Sequence, residues 1–448
     1  MSKRVAGVVF MPLLLVCVLL LSACGSFGAG RVPSGTPDHG NGTPAVMTTI
    51  PAQPSVSSAP SGTTGSSYAF VRQDQLWVAY QNATPTQVTN FTYGSSPTVF
   101  WQTPLWSPDN SSLAVLVNGQ GNGFGGGGCP GPDFGANGTL YVMNVATHQF
   151  TQVKVSSSVS NAHMSGTPPT DNWQYAFWED KTHLLVWYNG VVNASNASVD
   201  RTQAGLYRYD VTTQQLTQVV SLNTLGVATA YSPQKNAPFL LSLRYSSGQL
   251  FYQVVEHPFG QQSQVVIYRR SVSGPANQSS RVFQQGSEAW CGTPQSAFVR
   301  PGWDVAPDGQ QLVVQLVTTT GQGAIQSVSL TDGSTTPLFA QAPATLLSND
   351  VTLAWGPDSQ TIVVSSAQLG ATTPAGPYSA SLANPTAVQQ YAPDIMGQVV
   401  WRTDGTAFVL ETMALAGVTA TPNVYVFLTG QPQGRMLLAN AHNFAWGN

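Results

Sequence analysis

Charged side chains are scarce here: only 8% of the 448 residues are Asp, Glu, Lys or Arg, with 16 basic residues against 19 acidic ones. A net charge of −3 provides no basic field for a phosphate backbone, so nucleic acid is not an expected partner. The six histidines are scattered, at His39, His148, His163, His183, His257 and His442, and no pair has the spacing of metal ligands. Neither a metal nor a cofactor is expected. No G-x-S-x-G elbow occurs, and the Gly-rich run GFGGGGCPG carries no Lys or Ser/Thr in the order of a phosphate-binding loop. The familiar nucleophile and nucleotide motifs are therefore missing.

What is plentiful is punctuation. Gly (43) and Pro (31) alternate with short apolar segments, which favours turns and strands over long helices. The chain reads as an all-β exported protein. Its first residues agree: MSKR is a short basic start, VAGVVFMPLLLVCVLL an apolar run, and LSAC closes it at Cys24. Leu21-Ser22-Ala23-Cys24 resembles the bacterial lipobox, which implies cleavage after residue 23 and a diacylglyceryl group on Cys24. Two acyl chains hold a protein on a bilayer where one is marginal.

Residues 24–66 are dominated by Gly, Ser, Thr and Pro, with Arg31 and Asp38 as the formal charges. Such a segment buries too little apolar surface to offset its ordering entropy, so a flexible tether is expected, with a span on the order of 35–40 Å. The expected organisation is a signal peptide over 1–23, a lipidated tether over 24–66 and one domain over 67–448. Losing Lys3 and Arg4 leaves 14 − 19 = −5 formal charges, which disfavours contact with an anionic membrane surface.

From Tyr68 onward one phrase recurs: a short apolar strand ending in Trp or a substitute, a Pro/Asp/Gly turn, then a second apolar strand. The turns read WSPDN at Trp106, WEDKT at Trp178, YSPQK at Tyr231, VAPDG at Val305, WGPDS at Trp355 and WRTDG at Trp401. Third and fourth strands follow, as in TLYVMNVATHQFTQVKV from Thr139. Four short strands per repeating unit predict propeller blades, whose faces are buried only by stacking round a ring. Six units carry four strands each. The opening segment lacks its first strand, and NFAWGN at 443–448 supplies a first strand without a second. Joined, they make a seventh blade and leave no free sheet edge. Misreading the irregular fourth blade would give six or eight.

The phrase resembles the WD-repeat-like units of TolB-type propellers, also seen in prolyl-oligopeptidase-type peptidases and in actinobacterial LpqB-type lipoproteins. The resemblance covers nearly all of 68–448 and implies protein partners at the cell envelope. The N-terminal domain that accompanies TolB-type work has no counterpart here, nor does a hydrolase domain.

In a propeller, first-to-second and third-to-fourth turns share one face, and all other connections lie on the opposite one. Asp109, Asp180, Asp308, Asp358 and Asp404 recur at one turn position and, with Asp210 and Asp332, are read as turn structure. The opposite face carries the long insertions, Gly119 to Gly138 and Gly274 to Phe298. These hold Cys129 and Cys291, and outside the cytoplasm a disulfide between them is expected, with two free thiols as the alternative. It would close 291 − 129 = 162 residues and contribute ~4–5 kcal/mol by chain entropy.

Aromatics concentrate on the same face. Trp101, Trp173 and Trp290 precede first strands of three blades, while Phe124 and Phe134 flank the Gly-rich loop. They either pad blade junctions or form a shallow platform for a sugar or peptide, rimmed by Asp133, Asp171 and Glu288. Only the platform requires exposure. The expected function is a lipid-anchored, extracytoplasmic binding or scaffold protein, monomeric, with an envelope protein or glycan as partner. A carbohydrate or small-ligand sensor is a second reading, and an envelope glycan hydrolase or lyase a third.

Overall fold

The computed structural model describes residues 66–80, 83–90, 103–117, 138–155, 170–193, 198–228, 238–257, 264–275, 278–286, 302–317, 323–347, 351–366, 376–392, 397–411 and 422–447. Seven antiparallel sheets hold them, six of four strands and one of five. The chain is a seven-bladed β-propeller.

The turn words act as the sequence suggests. In blade two, the Ser107 N–H donates to Ser112 O and the Asn110 N–H to Ser107 O, both at 2.9 Å. Asp109 Oδ1 then accepts the Ser111 N–H at 3.1 Å. Blade six repeats the pattern, with Asp358 Oδ1 accepting the Gln360 and Thr361 N–H groups at 2.9 Å each. In blade seven Asp404 accepts the Thr406 N–H at 2.9 Å. Asp180, Asp210, Asp308 and Asp332 do the same in their own turns. A short acceptor side chain at this position satisfies backbone donors that the hairpin leaves open.

These turns and a few buried acids give stability opposite pH dependences. In Asp358 and Asp404 burial works against ionisation, but donors from the turn outweigh it and hold the carboxyl below its ordinary range. The Ser334 N–H, followed by hydroxyl donors, lowers Asp332 to about 2. Such depressed groups contribute above the unfolded value of 3.8, and the contribution fades as pH falls through the folded one. Asp171, Asp304 and Glu411 are pushed up by burial. Their contribution is complete below the unfolded values of 3.8 and 4.5 and is lost as pH rises through the folded ones. The melting temperature is therefore expected to fall as pH drops below 3.8, through the depressed groups, and to fall as pH rises above 4.5, through the raised ones. A calorimetric series that climbs steadily to pH 8 would contradict this.

Blade strands are buried on both faces, which explains why they read as near-continuous apolar runs. Ser112–Val117, SLAVLV, is buried at every position. Among the described residues, an apolar cluster fills each of the seven junctions. Trp106 and Leu113 meet Ala69 and Val71 between blades one and two, and Leu116 and Leu140 meet Trp173 and Tyr188 between two and three. Leu185 and Trp187 meet Leu243 and Leu250 at the next junction. Phe251 and Ile267 meet Trp303 and Val305 between four and five, and Val313 and Ile325 meet Leu353 and Trp355 between five and six. Val363 and Tyr391 meet Phe408 and Phe427 between six and seven. Tyr68 and Phe70 meet Val409 and Val426 across the closing junction.

Closure follows the predicted route. His442–Trp446 pairs with Tyr68–Arg72, in the register Tyr68↔Trp446 and Ala69↔Ala445, and forms the innermost strand of blade one.

Blade four departs from the expectation. The segment expected as its second strand, Phe239–Ser246, is its first, followed by Gln249–Glu256, Gln264–Ser271 and Ser280–Gly286. Its first hairpin is the two-residue turn Ser247-Gly248, with φ of 48° and 74°, the paired positive values that let a tight turn follow the twist of its strands. The word YSPQK at Tyr231 precedes the sheet and lies outside the described residues. Ser280–Gly286, expected within a loop leading to blade five, is the fourth strand of blade four.

Candidate functional site

The two ends of the blades differ in connection length. On the tight-turn face the connections are brief, for instance 107–111, 306–310 and 402–406. On the other face strands are joined by 118–138, 153–169, 287–302, 367–377 and 412–423. The expected asymmetry is present. Cys24, Trp101, Phe124, Cys129, Asp133, Phe134, Glu288, Trp290 and Cys291 all lie outside the described residues, which leaves Trp173 and Asp171 to be placed.

Both belong to the innermost strand of blade three, Thr170–Trp178, at its loop-rich end. Trp173 is inside the strand rather than ahead of it and is 0% exposed. Its Nε1–H donates to Val153 O at 3.2 Å, and its backbone forms a bridge with Gly138 of blade two. Its ring lies 4.9 Å from that of Tyr188 and 6.4 Å from that of Tyr207. Trp173 thus packs the junction of blades two and three and offers no open platform.

Asp171 is half-buried beside it. Its Oδ1 accepts the Tyr188 hydroxyl at 3.0 Å and its Oδ2 accepts the Val155 N–H at 3.1 Å. Burial pushes the carboxyl up, against those two donors and the charge of Lys154. Tyr207, raised by burial and then by the Asp171 charge, donates to Gln203 O at 2.7 Å and accepts from Gln218 Nε2 at 3.2 Å. One carboxylate is thus held by two donors beside aromatic rings that meet tilted or edge-on. The Tyr188 hydroxyl is the titratable group within hydrogen-bond reach of Asp171 among the described residues.

Two neighbours were not foreseen from the sequence. Asn172 and Asn189 are 2% and 1% exposed, and their amide groups have no hydrogen-bond partner among the described residues. The strand pairing is irregular here, stepping from Asp171↔Val191 to Trp173↔Tyr188, so Asn172 faces the stretch that contains Asn189 and Gly190. Buried amides are rarely left open, because each costs about 1–3 kcal/mol without a partner. The sequence does carry a signal, since NWQ and YNG place amides inside otherwise apolar strands. The second strand, His183–Asn193, also runs past the third and pairs with an added strand, Ser198–Asp200. Blade three is therefore the most elaborated of the seven at this end. Among the described residues no group of His, Cys, Asp or Glu is arranged to hold a metal ion.

No protein-family model matches the chain, and no curated protein matches it. Solved structures do. TolB from Acinetobacter baumannii is 12% identical with a TM-score of 0.39, over 87% of this chain and 68% of that one. An oligogalacturonate lyase in complex with manganese is 12% identical with a TM-score of 0.47, over 89% and 85%. A putative 6-phosphogluconolactonase from Bacteroides uniformis is 11% identical with a TM-score of 0.46, over 86% and 100%. TolB-type propellers are among the similar structures, and at this level none of their activities carries over.

Proposed function

We propose that this protein is a lipid-anchored binding or scaffold module outside the cytoplasm, engaging an envelope partner through the loop-rich face of its propeller. The observation that carries the reading is the asymmetry of the faces. Aspartates lock the turns of one, while every long connection, together with the open amides of blade three, belongs to the other. Binding residues concentrate on long loops held by a rigid scaffold. The lipobox-like LSAC and the polar segment that follows it support anchoring at Cys24 and display away from the membrane surface.

Crosslinking of the membrane-bound protein in its own cells tests the partner. Capture of a defined envelope protein, lost when blade-three loop residues are replaced, is the expected result; retention of glycan alone would overturn it. Anchoring has its own test: Cys24→Ser is expected to lose acyl label and membrane retention, and unchanged retention would refute the anchor.

A second reading rests on Asn172 and Asn189. Two open amides beside Tyr188 and Asp171 suit a hydroxylated small ligand, because amides both donate and accept. In that case sugar binding, rather than protein capture, would disappear in Asn172→Leu.

A further inference from the structure

Among the described residues, the tight-turn face carries an opening of its own. Between blades four and five a cleft of about 420 Å³ is bordered by Ser247, Arg269, Gln278 and Ser280 of blade four and by Asp308 and Gln310 of blade five. Its position follows from the register. Phe251 and Ile267 pack on blade five, on Trp303 and Val305. Arg269 pairs with Phe251 and lies two residues beyond Ile267, so it continues the same sheet face below the apolar layer.

The walls are pre-formed. Ser246 Oγ donates to Ala306 O at 2.8 Å, and Ser247 Oγ donates to Pro307 O at 2.8 Å, locking the first hairpin of blade four onto that of blade five. Gly309 completes the lock: its φ is +70°, and an added Cβ would sit 3.2 Å from Ser247 Cβ.

Inside this frame the Arg269 side chain is half-buried and makes no hydrogen bond or ion pair among the described residues. Asp308 on the facing wall has its Oδ1 engaged by the Gln310 N–H at 2.9 Å. A guanidinium that makes no ion pair can take an oxyanion, which it binds through two parallel N–H groups. The facing carboxylate accepts only, so it requires donors such as hydroxyls. Serine and glutamine side chains on both walls suit the same hydroxyls. The volume equals about 14 waters at ~30 Å³ each, room for one or two sugar-sized rings.

We propose that this cleft binds a hydroxylated carboxylate the size of a sugar acid, with Arg269 on the carboxylate and Asp308 on a hydroxyl. The site is on the face opposite the loop-rich one, and neither proposal depends on the other.

Calorimetric titration of the intact protein tests it, with glucuronate, glucose and inorganic phosphate as probes. Glucuronate is expected to bind saturably with a one-to-one stoichiometry, and glucose at least tenfold more weakly. Arg269→Gln is expected to weaken glucuronate at least tenfold without moving the melting temperature, while Arg269→Lys falls between. Should Arg269→Gln fail to fold, a crystal soaked in glucuronate gives the answer from density at Arg269. Absence of saturable glucuronate binding, phosphate binding more tightly than glucuronate, an unaffected Arg269→Gln variant, or sugar density elsewhere would each overturn the assignment.

Discussion

Removing residues 443–448 is expected to lower the melting temperature by roughly 10–20 °C, whereas trimming the segment 25–66 should leave it unchanged. Phe444 and Trp446 are both buried in the innermost strand of blade one. Phe444 stacks on Tyr68 with ring centroids 5.8 Å apart, and Trp446 meets Phe444 edge-on at 4.8 Å. Losing two such aromatics costs about 6–10 kcal/mol in total. The strand also satisfies the inner edge of Tyr68–Arg72, which would otherwise be open to another chain. Glu411 of blade seven accepts the Phe444 N–H, so the deletion also leaves a buried carboxyl without its donor. Scanning calorimetry of the deleted form decides the matter: a melting curve that superimposes on the full chain would mean that the ring closes without this strand.

Closure was readable from sequence because its two halves are words of one repeat. Trp446 matches Trp106 and Trp355 at the end of a first strand, and Tyr68–Arg72 matches second strands such as Ser112–Val117. Asp109, Asp358 and Asp404 were equally legible, since an Asp in a tight turn acts on its own neighbours and needs no distant partner. Blade four was misjudged because the aromatic-Ser-Pro word at Tyr231 outweighed a stronger physical signal. Ser247-Gly248, flanked by LLSLRY and QLFYQVV, is a two-residue hairpin, and that choice of turn shifts every later strand of the blade by one place.

The candidate sites were less legible, for a different reason. Trp173 reads either as junction padding or as part of an exposed platform on its position in the repeat, and the irregular pairing of Thr170–Trp178 goes with the first, in the junction with blade two. A shift in register changes which face a side chain serves, and no local pattern announces it. The cleft at Arg269 depends on the meeting of two hairpins about sixty residues apart in sequence, joined through Ser247 and Pro307. Propensity and periodicity do not reach across that distance.

Asp304→Ala is expected to cost about 2–4 kcal/mol, and Asp304→Asn about 1 kcal/mol or less. Asp304 stands in the innermost strand of blade five, Trp303–Val305, and ties three blades together. Its Oδ2 accepts the Trp355 N–H of blade six at 3.0 Å, and its Oδ1 lies 3.5 Å from Arg244 Nε of blade four. The Arg244 guanidinium in turn covers the Trp303 ring, 5.4 Å from its centroid. Alanine leaves the Trp355 N–H without an acceptor and the arginine without its partner. The arginine side chain is 39% exposed, so water takes over part of that loss and the value stays below that of a fully buried pair. Asparagine keeps an acceptor for Trp355 and surrenders only the ion pair. Burial pushes the Asp304 carboxyl up, against the charge of Arg244 and two backbone donors, so ionisation becomes a burden as pH rises through its folded value. The asparagine variant carries no such burden, and its deficit relative to the native chain should shrink as pH rises above the unfolded value of 3.8. Chemical denaturation of the three proteins across that rise separates the contributions. Equal losses for Ala and Asn would show that the acceptor for Trp355 contributes nothing, and a deficit that widens with pH would show that the ion pair dominates.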